Sequence, residues 1–332
     1  AHTCARVATP AVLAPCFLFG PVVATSALVS EGTTDQKKRR RRKGGETVMD
    51  DYEELEQLGS GAYGTVYRWR HRRTGAEYAA KRSLTDDEDG IPASALREAS
   101  LMRSALHDHP CILRLVEVAA VRPHLVLLLE LCEGNLRQSI KRGLERAPVL
   151  RFFSDLCDGV DFMHSHGFIH RDLKPQNLLL RRGRLKVGDL GMGRFHVPDE
   201  ERSLTLDVVT PWYRDPNLLW GATRYSFELD VWSVGCILAE MISGNAIFAA
   251  NEPEGIVAAI LQLLGTPRIG HPVRNLARFA TCYPERARQD VAACYGRFGA
   301  ELGQVVSSTL AYDERPTMRT LSLVARELCA GG

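Results

Sequence analysis

The sequence predicts an α+β protein with two segregated lobes, and two observations support this. The first is a series of short segments, rich in β-branched and aromatic residues, that occupies residues 52–131 and includes one helical stretch at 93–105. The second is the change after Gly134 to segments with apolar residues at spacings of three and four, a pattern typical of amphipathic helices. Strands followed by helices favour separate lobes over alternating strand and helix units.

The elements follow in order along the chain. The first lobe, residues 51–133, is predicted to be a small antiparallel sheet with one helix, and its strands are expected at 52–58, 65–70, 77–83, 112–119 and 124–131. The second lobe, residues 134–332, is predicted to be larger and mainly helical, with helices at 136–142, 149–166, 229–242 and 254–264. We place the hinge between the lobes near Glu133 and Gly134.

The composition is that of a protein with a sizeable core, since 332 residues with 45% hydrophobic content suffice for about two lobes. The formal net charge of +2 gives no general indication of nucleic-acid binding, and we expect no direct binding. The nine cysteines are scattered and form no Cys-x-x-Cys pair. This pattern favours free thiols in a reducing compartment over a secreted disulfide scaffold.

Residues 1–46 differ from the rest and are interpreted as a disordered or targeting extension. Their apolar run is interrupted by Pro15, Gly20 and Pro21, which argues against a straight membrane helix. A signal sequence or membrane anchor stays an alternative, although membrane association is not expected. The seven consecutive basic residues at 37–43 are either a nuclear-import signal, a patch for acidic partners or a solvated linker. We expect a location in the nucleus or the cytoplasm.

The most informative segment is residues 170–177, which read His-Arg-Asp-Leu-Lys-Pro-Gln-Asn. Three of these residues match the needs of phosphoryl transfer. The Asp172 carboxylate can accept the proton of an attacking hydroxyl, Lys174 can neutralise the transferring phosphate, and Asn177 can hold a metal ion. A basic turn closed by a proline is the structural alternative for any three of them. The complete segment resembles the catalytic loop of protein kinases.

A glycine-rich segment lies between the first two predicted strands. Gly59, Gly61 and Gly64 lack a Cβ, so backbone N–H groups there can approach phosphate oxygens. A plain hairpin is the alternative, and a dinucleotide-binding fold would require a helix where residues 65–70 are predicted to form a strand. The kinase pattern requires a lysine on the following strand, and Lys81 occupies that position.

Residues 91–98, Ile-Pro-Ala-Ser-Ala-Leu-Arg-Glu, are similar to the cyclin-binding helix of the cyclin-dependent protein kinases. The resemblance to this family covers residues 51–325. It implies a bilobal protein kinase fold, serine/threonine kinase activity with ATP and Mg²⁺, and a role in the cell cycle. It also implies that Lys81 contacts the α- and β-phosphates while paired with Glu98, so that both join the catalytic set.

The same resemblance implies the cofactor sites. Residues 186–191 match the Asp-Phe-Gly metal motif with Leu190 in place of Phe, so Asp189 and Asn177 are the expected Mg²⁺ ligands. Leu129 is the expected gatekeeper beside the adenine site. The residues expected to bind ATP are Gly59, Gly61, Tyr63, Gly64, Val66, Ala79, Lys81, Leu129, Glu130, Leu131, Cys132 and Leu179.

The resemblance further implies regulation by phosphorylation. Thr205 occupies the position of the activating phosphate, and Arg97, Arg171 and Arg194 match the three arginines that receive it. Surface ion pairs are the alternative for these arginines. Tyr63 matches a site of inhibitory phosphorylation, and the alternative there is an aromatic loop tip that shields the phosphates.

Partners and substrates are also expected from the resemblance. Trp212, Tyr213 and Arg214 resemble the segment that selects proline after the target residue, with Arg214 as the specificity residue. We expect a cyclin-like activating subunit and protein substrates with Ser-Pro or Thr-Pro sites. Without the activator, Glu98 is expected to rest away from Lys81. The alternatives are a pseudokinase scaffold and a related kinase that needs no cyclin.

One departure from the pattern concerns the second lobe. Residues 215–217 read Asp-Pro-Asn in place of Ala-Pro-Glu, so the glutamate that would pair with Arg315 is missing. A buried Arg315 without a partner would cost about 3–5 kcal/mol. Asp215, Asp313 and Glu314 are the candidate replacements.

Overall fold

The first lobe is built on a sheet whose strands are β1 (Tyr52–Gly61), β2 (Gly64–His71), β3 (Glu77–Ser83), β4 (Leu115–Val121) and β5 (His124–Glu130). They pair antiparallel in the order β1-β2-β3-β5-β4. The structure is a computed structural model, and it describes residues 48–61, 64–83, 91–104, 106, 109–121, 124–197, 211–279 and 283–331.

Two strands differ from their predicted bounds by three residues at one end, for local reasons. β1 continues to Gly61 because that residue pairs with Gly64 across the hairpin. β4 begins at Leu115, later than predicted, because Ile112 instead forms a parallel bridge with Val187 of the second lobe.

The helix of the first lobe is α1 (Ala93–Ser104), which follows Pro92. The Pro92 carbonyl accepts the first backbone hydrogen bonds of the helix, a position that suits proline. Its buried face includes Glu98 and Met102, which are 3% and 1% exposed and lie four residues apart. Leu96, on the other side, is 51% exposed. The helix therefore packs on the sheet and presents an apolar residue to solvent.

The second lobe is mainly helical in the part of the chain that the structure describes. Its helices are α2 (Leu136–Arg142), α3 (Arg146–Ser165), α4 (Pro216–Leu219), α5 (Glu228–Ser243), α6 (Pro253–Leu264), α7 (Val291–Cys294), α8 (Ala300–Thr309) and α9 (Met318–Ala330). Its short strands are β6 (Gly134–Asn135), β7 (Phe168–Ile169), β8 (Leu178–Arg181), β9 (Arg184–Val187) and β10 (Arg194–Phe195). They form a three-stranded sheet β6-β8-β9 and a pair β10-β7.

The core of this lobe is centred on α5. Every residue at positions 229–242 is buried, as expected for a helix that is apolar on all sides. It contacts α3 and α8, and the ring of its Trp232 stacks on Phe248. A helix held on all sides is a rigid base for the loops above it.

The predicted α+β architecture, a sheet lobe followed by a helical lobe, is confirmed. Among the described helices, none has the length and apolar content needed to cross a membrane. The predictions for residues 1–46, Tyr63 and Thr205 concern positions outside the described residues.

Candidate active site

A cleft of about 560 Å³ lies between the β1–β2 hairpin, the β5–α2 connection and β8. The predicted ATP-binding residues all line it, except Tyr63, which is not among the described residues. In the order of the chain, the predicted ones that line it are Gly59, Gly61, Gly64, Val66, Ala79, Lys81, Leu129, Glu130, Leu131, Cys132 and Leu179.

Sequence reasoning missed part of the cleft wall, namely Leu58, Leu113, Gly134, Asn135, Gln138 and Gln176. Two of these carried a usable signal. The Asn135 side chain accepts a hydrogen bond from the backbone N–H of Gln138, and the Gln138 side chain accepts one from the backbone N–H of Asn135. This capping box is readable in the sequence as the start of α2 beside the hinge.

The glycine-rich hairpin needs its last glycine for a steric reason. Gly64 has a φ of 140°, and a Cβ at this position would lie 2.1 Å from the Arg82 carbonyl oxygen. Any side chain there would push β2 away from β3. Since Lys81 lies on β3 next to Arg82, Gly64 keeps the hairpin and the lysine in register.

Lys81 is the buried cation of the cleft and is held by two carboxylates. Its Nζ donates to Glu98 at 3.0 and 2.8 Å and to Asp189 Oδ1 at 2.9 Å. Burial alone would lower the pKa of Lys81, but the two carboxylates outweigh burial and raise it. The lysine is therefore a fixed positive charge that faces the cleft.

The two carboxylates respond to this site in opposite directions. Burial raises the pKa of Glu98, despite the charge of Lys81. Burial also opposes the ionised form of Asp189, but the Lys81 charge outweighs it and lowers the pKa of that carboxyl. Asp189 stays an anion, which is the form that binds a metal ion.

The expectation that Glu98 rests away from Lys81 in the chain alone is wrong for the described structure. The Lys81–Glu98 ion pair is formed, and the Glu98 side chain is 4% exposed. The physical reason is the packing of α1 against β4, β5 and the turn at Leu190–Met192, which fixes the inner face of the helix.

Leu190, the replacement for phenylalanine, is fully buried in the main core. It follows Asp189, whose φ of 57° is unusual for a residue that is not glycine. A strained backbone at this point aims the Asp189 carboxylate at Lys81, while the apolar Leu190 packs behind it.

The catalytic-loop residues converge on one carboxylate. Lys174 Nζ donates to Asp172 Oδ2 at 2.8 Å, and Asn177 Nδ2 donates to the same oxygen at 3.0 Å and to the Asp172 carbonyl at 2.8 Å. Asp172 is 7% exposed. These contacts fix the carboxylate and leave Asn177 Oδ1 as the acceptor on that side chain.

Asp230 of α5 anchors this loop from below. It is fully buried and accepts from the backbone N–H groups of His170 at 2.8 Å and Arg171 at 2.9 Å. His164 Nε2 lies 2.8 Å from its Oδ2. Burial would raise the pKa of Asp230, but these hydrogen bonds outweigh it and lower the pKa. At this point of the loop Arg171 adopts a φ of 70°.

The three predicted phosphate-binding arginines come from α1, the catalytic loop and β10. Arg171 Nε and Nη1 are buried and have no hydrogen-bond partner in the described part of the chain. Burial lowers the pKa of Arg171 to about 10, and the charges of Arg194 and Arg97 contribute further. Arg194 and Arg97 therefore lie close enough to Arg171 to act on its charge, and Arg97 donates to the Gly191 carbonyl at 3.1 Å.

Asp215 replaces the missing glutamate of the second lobe. Its carboxylate pairs with Arg315, and the two side chains are 2% and 1% exposed. Asp313 instead lies 2.8 Å from His271. Arg315 also packs 4.9 Å from the Trp232 ring. The departure from the sequence pattern therefore leaves the buried arginine paired.

The segment that contains Arg214 is fixed from both sides. Trp212 Nε1 donates to the Ala250 carbonyl at 2.7 Å, and Tyr213 Oη donates to Glu240 Oε2 at 2.6 Å. Glu240 is fully buried and also pairs with Arg137 of α2. Sequence reasoning missed this link because its members lie far apart in the chain.

Asp189 and Asn177 supply a carboxylate and an amide oxygen, which are donors that Mg²⁺ accepts together with substrate phosphates. Both residues line the cleft that contains Lys81. Comparison with known families shows that residues 52–321 match the family model described as a protein kinase domain.

Proposed function

Because the chain belongs to the protein kinase family, whose members are enzymes that transfer phosphate to proteins, we propose a finer assignment. It is a serine/threonine kinase that uses ATP and Mg²⁺, prefers Ser-Pro and Thr-Pro sites, and responds to a cyclin-like subunit. The observation that carries the proposal is the fixed Asp172 carboxylate, held by Lys174 and Asn177 in the same lobe as Asp189.

Each charged group of the cleft has a distinct task in this proposal. Asp172 accepts the proton of the attacking hydroxyl, and Lys174 neutralises charge on the transferring phosphate. Lys81, held by Glu98, aligns the α- and β-phosphates. Asp189 and Asn177 would hold Mg²⁺, which, when bound, offsets the negative charge of the phosphates. The paired geometry lowers the cost of ordering these groups during catalysis.

Two features support the choice of substrate. Lys174, two residues after Asp172, fits the serine/threonine form of the catalytic loop. The segment with Trp212 and Tyr213 is hydrogen-bonded to α5 and to the Ala250 carbonyl. It therefore presents a fixed surface, beside Arg214, to the substrate residue that follows the target. A rigid surface suits proline, which has little conformational freedom to lose.

An exposed apolar residue of α1 supports an activating subunit. Leu96 on α1 is 51% exposed although it lies in the segment that resembles the cyclin-binding helix. A partner that covers Leu96 would bury apolar area next to the face that holds Glu98.

A kinase that needs no cyclin is the second candidate, and one observation favours it. The Lys81–Glu98 pair is already formed in the single chain. An activator is then not required to bring these two side chains together.

Both candidates are tested by phosphorylation of matched peptides with a single Ser-Pro, Ser-Ala or Tyr-Pro site, with and without candidate cyclins. We expect Mg·ATP-dependent turnover of the Ser-Pro peptide only, and a loss of about 10³-fold in Asp172→Asn. Phosphorylation of the Ser-Pro peptide by the Thr205-phosphorylated chain, with no cyclin added, would favour the second candidate. Absence of Asp172-dependent turnover with every partner would leave a pseudokinase scaffold as the better assignment.

A further inference from the structure

An arginine-rich surface of the second lobe has no part in the site described above. Residues 265–290 contain five arginines and only two carboxylates, Glu285 and Asp290, and so carry a net charge of +3. The complete chain of 332 residues carries +2. This short stretch, which follows α6, is therefore a second basic segment of the chain, apart from the basic run at 37–43.

The fold brings the two ends of the stretch together. The Thr266 N–H donates to the Arg286 carbonyl at 2.9 Å, and the Arg286 N–H donates to Thr266 Oγ1 at 3.0 Å. Arg274 Nε donates to the Pro267 carbonyl at 2.6 Å. We call the surface formed by Arg268, Ile269, Arg274, Arg286 and Arg288 the arginine face.

The carboxylates of this stretch offset only part of the charge of the arginine face. Arg274 Nη2 donates to Glu285 at 2.7 Å, and Arg288 Nη2 donates to the Ser307 carbonyl at 2.9 Å. Asp290 accepts from the Ala293 N–H as the cap of α7. Arg268 and Arg286 are exposed and have no ion-pair partner among the described residues.

A satellite core beneath the arginine face keeps it in place. It consists of Trp220, Val257, Leu261, Val273 and Phe279. The Arg274 guanidinium lies 5.7 Å from the centre of the Phe279 ring, so the charged layer rests on this core. A fixed cluster of like charges is destabilising by itself, and an anionic ligand would remove that repulsion.

Ile269 decides which class of ligand fits. It is 85% exposed, the largest exposed fraction among the large hydrophobic residues of the described chain, and it follows Arg268 directly. A phosphate backbone would pair with the arginines but would offer no apolar surface to Ile269. A protein segment with both carboxylates and an apolar side chain satisfies both.

We propose that the arginine face docks an acidic segment of a partner protein that carries an apolar residue next to its Asp or Glu side chains. The partner's carboxylates pair with Arg268 and Arg286, and its apolar side chain covers Ile269. This docking goes beyond the proposed kinase function and does not depend on turnover, since the face contains no residue of the cleft.

The test is fluorescence anisotropy with the full chain and a labelled dodecapeptide of Glu and Asp with two central leucines. We expect saturable binding that weakens by about tenfold between 50 and 300 mM NaCl, because exposed charges are screened by salt. Arg268→Glu with Arg286→Glu should weaken binding at least tenfold. The matched control, Arg72→Glu with Arg73→Glu in the exposed β2–β3 turn, should change binding less than about twofold.

The apolar part of the proposal has its own measurement. Ile269→Asp should weaken peptide binding at least about fivefold, and a peptide with serine in place of leucine should bind wild type equally weakly. Thermal unfolding and turnover of a short Ser-Pro peptide, unchanged in all variants, show that the fold is intact. Three results would overturn the proposal: no binding by wild type, equal binding by the Arg268 and Arg286 variant, or tighter binding of a single-stranded RNA that ignores Ile269→Asp.

Discussion

Two buried cations of this kinase differ in how their charge is balanced. Lys81 is surrounded by carboxylates of the protein itself, since Glu98 and Asp189 both accept from its Nζ. Arg171 has two buried nitrogen atoms with no hydrogen-bond partner in the described ranges. The cleft is therefore organised before any ligand arrives, whereas the site of Arg97, Arg171 and Arg194, the arginine pocket, is suited to an anion that must be added.

Removal of Lys81, the cation that is paired with carboxylates, should have the largest effect. Lys81→Met should lower kcat/KM by about 10³-fold, because phosphate alignment is lost. It should also lower the free energy of unfolding by about 3 kcal/mol, since Glu98 and Asp189 then face each other without a cation. Peptide kinetics and chemical denaturation measure the two effects. Lys141→Met, on the exposed end of α2, is the control and should change neither.

A second paired cation, Arg315, tests whether pairing matters for stability without the chemistry. Asp215→Asn should reduce the free energy of unfolding by about 3–5 kcal/mol, because it leaves a buried arginine without its carboxylate. Asp313→Asn is the control. Its carboxylate is 65% exposed, so the loss should be about 1 kcal/mol or less. Equal losses in the two variants, measured by urea denaturation, would contradict the assignment of Asp215.

The sequence predicted the elements and the motif residues well, because both are local. Strand and helix periods extend over a few residues, and the segment at 170–177 carries three functional side chains in eight positions. The partner of Arg315 was not predictable among three candidates. Which carboxylate reaches it depends on how the start of α4 meets the connection between α8 and α9, where Arg315 lies, and Asp215 is 100 residues away in the chain.

The orientation of Glu98 is a second feature that local sequence does not predict. The resemblance predicted its residue type and role, but its orientation depends on packing between α1, the sheet and the turn after Asp189. Tyr213 and Glu240 are likewise in contact although they lie 27 residues apart in the chain, and no local sequence pattern predicts this contact. Long-range packing, rather than propensity, decided these features, unlike the local capping box of Asn135 and Gln138.

Substitution of Arg171 should not lower the free energy of unfolding, unlike the substitutions of Lys81 and Asp215. Arg171→Met should leave the unphosphorylated chain as stable as wild type or more stable by up to about 1 kcal/mol, because it removes a buried charge without a partner. The same variant should lose the stimulation that phosphorylation of Thr205 is proposed to give. Urea denaturation and paired assays of the phosphorylated and unphosphorylated chains measure these effects. A destabilisation of several kcal/mol would show that Arg171 is already paired.

Acid should also change the stability of the site around Lys81, and Glu98 sets the sign of that change. The folded-state pKa of Glu98 is raised above its ordinary value of 4.5, so folding takes up a proton between 4.5 and the raised value. Relative to Glu98→Gln, wild type should therefore gain stability as the pH falls through this window, by at most about 1.4 kcal/mol per pH unit.

In the same pH range, activity should fall while stability rises. A neutral Glu98 no longer attracts Lys81 as an ion pair, so kcat/KM should fall as the pH falls, while Asp189, whose pKa is lowered, stays charged until the pH is below 3.8. Arg171→Met should keep the wild-type slope of stability against pH, because its pocket does not contain Glu98. If Glu98→Gln keeps the wild-type slope of stability against pH, the acid response belongs to another carboxylate. If Glu98→Gln loses that slope, the response belongs to the buried Lys81–Glu98 pair, which has no counterpart in the arginine pocket.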